Sequence, residues 1–494
     1  MAKISHLLKK LELVFTLQVR TYSVAPKFKL LNNIEELIEK EKIKPRRHPG
    51  VNANKITQLP EWLDQAIRQS VEDANKNQVL LEHQKFANYL FSRRLPAEKN
   101  DIKEKYYEIK NKLVENKLDN LTEEEANQVN QKLNSKVKKK LKQSIFNWKP
   151  LDYHGYRTAL YMVTRCVAEY AALTSIFKEI NKRDPEFKPR TVFDFGSGVG
   201  TVLWAATQYW KNIEEYVGID ISNDMNDLAE EIFSYSPTKV KGIYHKQYLP
   251  VSNLKFEVVV SAYTLMDLSD ARCRLEVLSK LWRKTDKYLV IVEQGTLAGF
   301  TLINEAREFV KYMSKNSEPK LECVIFAPCP HDSACPRFAE NNTPCNFLSQ
   351  YKSLSLFGPP KATNELYSYV VLKKGTRTEN DNWYRIVRPT IARSRHARCQ
   401  LCTADGKLQE VVFTAAKYGK SLYRCAKVTK WGDRLPIRPT KGPLEDENVV
   451  SELEASNDDF KEDEENFEEK TQAKEKEKFM ICSEAPIVVN KHDS

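Results

Sequence analysis

Eleven residues, Thr191 to Thr201 (TVFDFGSGVGT), restrict the fold of this chain more than any other stretch. Val192, Phe193 and Phe195 make a short apolar strand. Gly196, Gly198 and Gly200 follow at alternate positions, and the apolar helical stretch Val202 to Tyr209 comes directly after them. Glycine lets the backbone turn sharply and lets a ligand approach where a Cβ would clash. The helix behind the turn offers unpaired N–H groups and a partial positive charge. Asp194 lies on the first strand, and Asp220 closes the next one, EEYVGID, twenty residues after Gly200. A carboxylate there is placed to accept hydrogen bonds from ribose hydroxyls. Strand, glycine turn, helix, strand and acid together read as a nucleotide pocket.

The alternation continues downstream. Weak strands at Tyr216–Ile219 and Gly242–His245 precede a buried central strand, Phe256–Tyr263, whose β-branched run is unbroken. Tyr288–Glu293, Leu321–Ala327 and Leu366–Leu372 complete a set of seven. Helical crossovers between strands imply a parallel, doubly wound α/β sheet, with the last two strands as an antiparallel pair. Ahead of the sheet, Leu160, Val163, Val167, Tyr170, Thr174 and Phe177 recur at helical spacing within Tyr156–Ile180, a helix that packs and carries no chemistry. From Phe28 to Lys149 the chain reads as Lys/Glu-rich helices punctuated by Pro45, Pro49, Pro60 and Pro96. The glycines fall as D-x-G-x-G-x-G and not as the nicotinamide pattern G-x-G-x-x-G. This resembles the first motif of class I S-adenosylmethionine (SAM) methyltransferases. The resemblance implies a seven-stranded sheet with SAM as cofactor, the methionyl end oriented by Asp194, the ribose held by Asp220, and Gly196, Gly198 and Gly200 cradling both.

Charge is divided along the chain. The formal net charge is +11, yet from Thr440 onward 7 Lys/Arg face 17 Asp/Glu, a net of −10, which leaves +21 on the body. A body that basic suits a polyanion such as RNA. The run Lys136–Lys142 is either a phosphate grip or a solvated face. Residues 1–23 carry Lys3, Lys9, Lys10 and Arg20 against Glu12 alone, with apolar residues at helical spacing. They read as a mitochondrial presequence, which places the mature protein in the matrix. No stretch is apolar and long enough to span a bilayer, so membrane insertion is not expected.

Cysteine usage is uneven. Cys166, Cys273 and Cys323 fall in helix or strand patterns, and Cys482 lies in the tail. Cys329 and Cys335 (APCPHDSACP), Cys345 (TPCNF), Cys399 and Cys402 (RCQLCTADG) and Cys425 form a separate group. Disulfides do not suit a reducing matrix. Zinc favours close C-x-x-C knuckles, which only Cys399/Cys402 provides. Iron–sulfur clusters tolerate irregular spacing and often show proline after a ligand, as in Cys329-Pro330 and Cys335-Pro336. Spacing leaves zinc and iron–sulfur both open.

APCPHDSACPRF, Cys345-Asn346-Phe347, VEQGTLAGF (Val292–Phe300) and the distal LCTADG and WGD segments resemble the mitochondrial small-ribosomal-subunit methyltransferase-like family, over about Tyr153 to Pro436. The resemblance implies a 4Fe-4S cluster held by Cys329, Cys335, Cys345 and Cys402, with Cys399 the rival for the fourth place and His331 a hydrogen-bonding neighbour. With the charge and composition read above, the chain divides into five expected regions: presequence 1–23, helical region 24–150, methyltransferase-like domain 151–375 with a Cys-rich insertion, basic module 376–440, and acidic disordered tail 441–494. In the module, Arg388, Arg393, Arg395, Arg398, Lys417, Arg424, Lys427, Lys430 and Arg434, interleaved with Tyr384, Tyr418, Tyr423 and Trp431, make a plausible RNA surface, with the small module's core as the other reading of the aromatics. The implied function is assembly of the small mitochondrial ribosomal subunit, and hence support of translation, through contacts with its rRNA and ribosomal proteins, as a monomer outside the ribosome. Catalysis is a separate question. Where base-amino methyltransferases show an Asn/Asp-Pro-Pro-Tyr turn, this chain reads Ser261-Ala262-Tyr263-Thr264-Leu265, and neither a cysteine nor a Pro-Cys step stands at that strand end. A non-catalytic assembly factor is therefore expected. The alternative is an active SAM-dependent rRNA methyltransferase.

Overall fold

The apolar runs that read as strands do pair side by side, because the central ones are buried on both faces and must bond their backbone to a neighbour. The structure, a computed structural model, describes residues 28–52, 56–73, 76–114, 123–144, 149–317, 322–340 and 343–440. The presequence (1–23), the acidic tail (441–494) and Cys482 lie outside the described residues.

The described chain opens with strand β1 (Phe28–Leu30) and helix α1 (Asn32–Glu39). Helices α2 (Glu61–Asp73), α3 (Lys76–Ser92), α4 (Lys99–Val114) and α5 (Glu123–Ser144) follow, and then the long α6 (Tyr156–Arg183). The main sheet comprises β2 (Thr191–Phe195), β3 (Glu215–Ile219), β4 (Gly242–Lys246), β5 (Phe256–Ala262), β6 (Thr285–Gln294), β7 (Cys323–Ala327), β8 (Phe347–Lys352) and β9 (Ala362–Lys374). Its crossovers include α7 (Thr201–Tyr209), α8 (Asn223–Ser234), α9 (Ala271–Lys284) and α10 (Leu297–Lys315). The strand order is β4-β3-β2-β5-β6-β9-β7, with β8 also paired to β9. The first five strands are parallel, and β9 runs antiparallel to β6, β7 and β8. This is an α/β protein with a central, mostly parallel sheet.

The sheet has eight strands where seven were expected. Residues Phe347–Lys352 (FLSQYK) are short and half polar, and they form a strand only because β9 is long enough to receive them. The long helix also departs from expectation. Its apolar stripe is buried as read, but Arg165, Glu169 and Glu179 are buried with it, because α6 touches α3, α7, β8 and β9.

A second sheet is built from β10 (Tyr384–Ile386), β11 (Ile391–Ala392), β12 (His396–Cys402), β13 (Leu408–Thr414) and β14 (Arg434–Leu435), with α11 (Ala415–Tyr418) and α12 (Lys420–Val428) packed on it. The stretch 24–150, read as one helical region, divides between two places. β1 pairs with β15 (Ile437–Pro439), and Phe28, Leu30, Ile34 and Ile38 enter the core of the distal module beside Ile386, Leu401 and Leu422. Alternate apolar residues on β1 and the i, i+4 pair on α1 need an apolar partner, and the small module supplies one.

Candidate cysteine centre and nucleotide pocket

β7 and β8 lie end to end along one edge of β9. Cys323 pairs with Lys374 and Ala327 with Val371, then Phe347 pairs with Tyr367 and Lys352 with Ala362. The chain leaves the sheet between them, opposite Ser368–Val370, and residues 328–346 form the excursion that carries Cys329, Cys335 and Cys345. Its two roots are tied down. Asp332 accepts from Ile325 N at 2.7 Å and from Arg377 at 2.6 Å, while Ser368 Oγ donates to Cys345 O at 2.9 Å.

Cys402 arrives from β12, and strand alternation separates it from its rival. Ala397, Cys399 and Leu401 point into the module's apolar core, where Cys399 Sγ lies 3.7 Å from Thr390 Oγ1 and 3.8 Å from Ala426 O. Cys402 faces the other way, 3.3 Å from His331 Nε2. The turn after it brings Gly406, at φ +78°, against Ser333, where a Cβ would stand 3.0 Å from the Ser333 Cβ. That approach requires glycine.

Cys329, Cys335, Cys345 and Cys402 lie within electrostatic reach of one another. Burial pushes the Cys402 thiol well above its ordinary range, and Cys329, Cys335 and Cys345 add to the effect. Burial also raises Cys345, helped by Cys335 and Cys329, and raises Cys335, helped by Cys329. Arg307 opposes these shifts at Cys335 and Cys402, and Arg337 and Arg388 oppose them at Cys345. Arg307 Nε, Arg337 Nε and His331 Nδ1 are buried without a hydrogen-bond partner. Three buried thiols and a half-buried fourth, Cys345, ringed by arginines with spare donors, fit an anionic, sulfur-rich group. As the side chains stand, no group of three or more described His, Cys, Asp or Glu residues is arranged to hold a metal ion.

The glycine loop lies at the carboxyl end of β2. Gly196, Gly198 and Gly200 take φ of +74°, +49° and +87°. A Cβ on Gly196 would fall 2.0 Å from Thr264 Oγ1, whereas one on Gly198 meets open space. Gly198 N donates to Asp220 Oδ2 at 2.9 Å, and Ser222 N donates to Asp220 Oδ1 at 3.0 Å. Asp194 is fully buried and accepts from Tyr216 OH at 2.8 Å, but its Oδ1 and the neighbouring Ser197 Oγ have no partner. Orphaned polar atoms beside a left-handed loop fit a polar nucleotide-type ligand.

Sequence reasoning missed a charged nest beside this loop. Arg93 pairs with Asp267 at 2.6 Å, Arg165 with Glu365 at 2.8 Å, and Tyr161 OH donates to Glu169 at 2.6 Å. Tyr263 holds φ +59° with the Arg165 guanidinium 5.2 Å from its ring centre. Leu265 N donates to Glu293 at 2.8 Å, and burial lifts that carboxyl to about 8. The cavity among these groups is about 20 Å³. Arg165 and Glu169 stand at i, i+4 on the face of α6 opposite the apolar stripe, where charges read as a solvated face, so the sequence carried no signal for the nest.

The basic module also needs correction as an RNA surface. Arg434, Tyr384 and Tyr418 are buried, and Arg388 is spent on Asn346 Oδ1 at 3.3 Å and Pro344 O at 3.1 Å. Arg385 is buried too. It holds Glu179 of α6 at 2.6 Å, Pro328 O of the cysteine excursion at 2.8 Å and Gly432 O at 2.7 Å.

A methyltransferase-like strand order with its glycine loop at the switch point defines the class: an α/β protein of methyltransferase-like fold with a cysteine-bearing excursion. Residues 155–436, more than half of the chain, match the family described as mitochondrial small ribosomal subunit Rsm22. The chain belongs to that family. It is 36% identical over 403 residues to the human protein named Ribosome assembly protein METTL17, mitochondrial, covering 79% of this chain and 86% of the relative. It is 27% identical over 315 residues to the Schizosaccharomyces pombe Rsm22-cox11 tandem protein 2, mitochondrial, covering 54% of this chain and 42% of that one. This chain is mitochondrial, as its relatives are. Similar solved structures include the magnesium protoporphyrin IX methyltransferase of Synechocystis PCC 6803 with bound SAM (13% identity, 42% of this chain and 81% of that one, TM-score 0.28). Another is the ribosomal protein L11 methylase of Lactobacillus delbrueckii subsp. bulgaricus (14% identity, 42% and 79%, TM-score 0.26).

Proposed function

We propose that this chain is an assembly factor of the small mitochondrial ribosomal subunit. It acts in the matrix, binds the subunit's rRNA and ribosomal proteins, and works without methyl transfer. The observation that carries the reading is the family match over residues 155–436, joined to a relative whose name is that of a ribosome assembly protein. Two sites serve it. Cys329, Cys335, Cys345 and Cys402 would hold a 4Fe-4S cluster, which when bound supplies iron–thiolate bonds between the excursion from the main sheet and strand β12. Asp194, Gly196, Gly198, Gly200 and Asp220 would hold SAM, with the loop N–H groups and the two carboxylates binding and orienting it.

The acceptor side favours a binding role over a catalytic one. Its charges are already paired with one another and not aimed at an incoming group.

The test compares cells lacking the protein with cells given wild type or Gly198→Arg. Loss should deplete small subunits and translation while leaving the methylated nucleotides of the small-subunit rRNA unchanged. One missing methyl group, restored by wild type and not by Gly198→Arg, would instead identify the rRNA methyltransferase.

A further inference from the structure

The two ends of the described chain meet, and the meeting makes a surface that neither end has alone. Beyond the β1–β15 pairing, Leu31 N donates to Pro436 O at 3.0 Å and Arg434 N to Gly50 O at 2.9 Å. Between those anchors runs Lys42-Ile43-Lys44-Pro45-Arg46-Arg47. Ile43 packs on the module's core, and the turn Pro45–Arg47 packs against α12. Lys42, Lys44, Arg46 and Arg47 are exposed. On the other flank of α12, Tyr423 OH donates to Ser394 O at 2.9 Å, and Lys427 reaches the same oxygen at 3.3 Å. This seats the turn Arg393-Ser394-Arg395 beside the helix, with both arginines exposed. Lys417, Lys420 and Arg424 are exposed between the two flanks.

No carboxylate occurs within residues 42–50, 388–400 or 417–430. Among the described residues, Lys42, Lys44, Arg46, Arg47, Arg393, Arg395, Lys420 and Arg424 form no ion pair. α1, which also touches α12, and the turn after it carry Glu35, Glu36, Glu39 and Glu41, of which Glu36 is paired with Lys40 at 3.2 Å. Three acid-free segments brought together from distant parts of the chain suit a polyanion.

We propose that Lys42–Arg47, the exposed face of α12 and the Arg393–Arg395 turn form one continuous band that grips the phosphate backbone of double-helical RNA. The proposal rests on the rRNA-binding reading above and names where and how that binding occurs. Duplex is favoured over single strand because the band has no fully exposed aromatic ring for an unpaired base, Tyr423 being half-buried with Lys427 over its ring. Tyr384 and Tyr418 are buried, the Tyr423 hydroxyl is committed to Ser394, and the large apolar side chains exposed in the module are Val412 and Val428. Single-strand sites pair cations with exposed aromatic rings, whereas duplex sites read backbone and shape.

The experiment measures binding of the full-length holoprotein to a labelled RNA stem-loop, and to an unstructured strand of equal length, by fluorescence anisotropy across a salt series. The variant is Lys44→Ala/Arg46→Ala/Arg47→Ala. Thermal melting checks its fold, and Lys138→Ala/Lys139→Ala/Lys140→Ala on α5 serves as control. Wild type should prefer the stem. The band variant should bind it roughly tenfold or more weakly, with the slope of log affinity against log salt reduced by about 3, one for each phosphate no longer neutralised. The α5 variant should match wild type. If wild type binds the stem and the band variant retains both affinity and slope, the band is wrong while the ribosomal reading stands. Preference for the unstructured strand overturns the duplex assignment. Failure of wild type to bind either RNA removes the rRNA-binding reading and this inference together.

Discussion

Asp194 shows how one side chain reports the state of the nucleotide pocket. Burial dominates its ionisation, the Tyr216 hydroxyl opposes, Asp220 adds repulsion, and the carboxyl titrates at about 7. An unfolded aspartate titrates near about 3.9. The native state therefore resists ionisation: stability is fullest below the ordinary carboxylate range and declines as pH rises through about 7. Asp194→Asn keeps an acceptor for Tyr216 and removes the charge. The variant should melt well above wild type at about pH 8 and close to it at about pH 4. Parallel melting curves across that range would show that Asp194 ionises freely. The residue was legible as a pocket acid from its place before the glycines. Its protonation was not, because that depends on Tyr216 and Asp220, which only the folded sheet brings alongside.

At the scale of elements, α6 and the distal module are joined by a buried ion pair. Burial works against ionisation of Glu179, but Arg385 and then Arg183 overcome it and hold its carboxyl far below the usual range. Its contribution is present above the unfolded pKa near about 4.3 and lost as pH falls below that. Arg385→Met leaves a buried carboxylate short of its partner and should cost about 3–5 kcal/mol in urea unfolding. Glu179→Leu added to it should recover much of that loss. Additive losses in the double variant would mean that the two residues act separately. A second prediction concerns β1 and α1. Removing residues 1–41 exposes the apolar face of the distal module that Phe28, Leu30, Ile34 and Ile38 cover, and should lower its melting temperature while α6 and the main sheet persist. Unbroken apolar runs made the central strands readable. The FLSQYK strand was not, since a short half-polar segment takes its conformation from β9. The docking of β1 was hidden too, because nothing in a three-residue FKL pattern announces a partner some four hundred residues away. The cysteines divide the same way. Their number and their Cys-Pro steps were visible, while the opposite faces of β12 that Cys399 and Cys402 occupy were not.

For the whole molecule, the account rests on a thiolate-held cluster joining a methyltransferase-like sheet to a basic module seated on the chain's own N-terminal strand. Metal binding that spans two parts of a fold becomes folding free energy for both. Cluster-free protein should therefore become protease-sensitive after Asn380 while the N-terminal half stays resistant, and equal resistance in both forms would reject the tie. The most direct measurement is iron, zinc and acid-labile sulfide per chain after oxygen-free purification of wild type, Cys402→Ser and Cys399→Ser. The account predicts about four iron and four sulfide in wild type and in Cys399→Ser, with visible absorbance, and loss of both in Cys402→Ser. Colourless wild-type protein carrying zinc and no sulfide would contradict it.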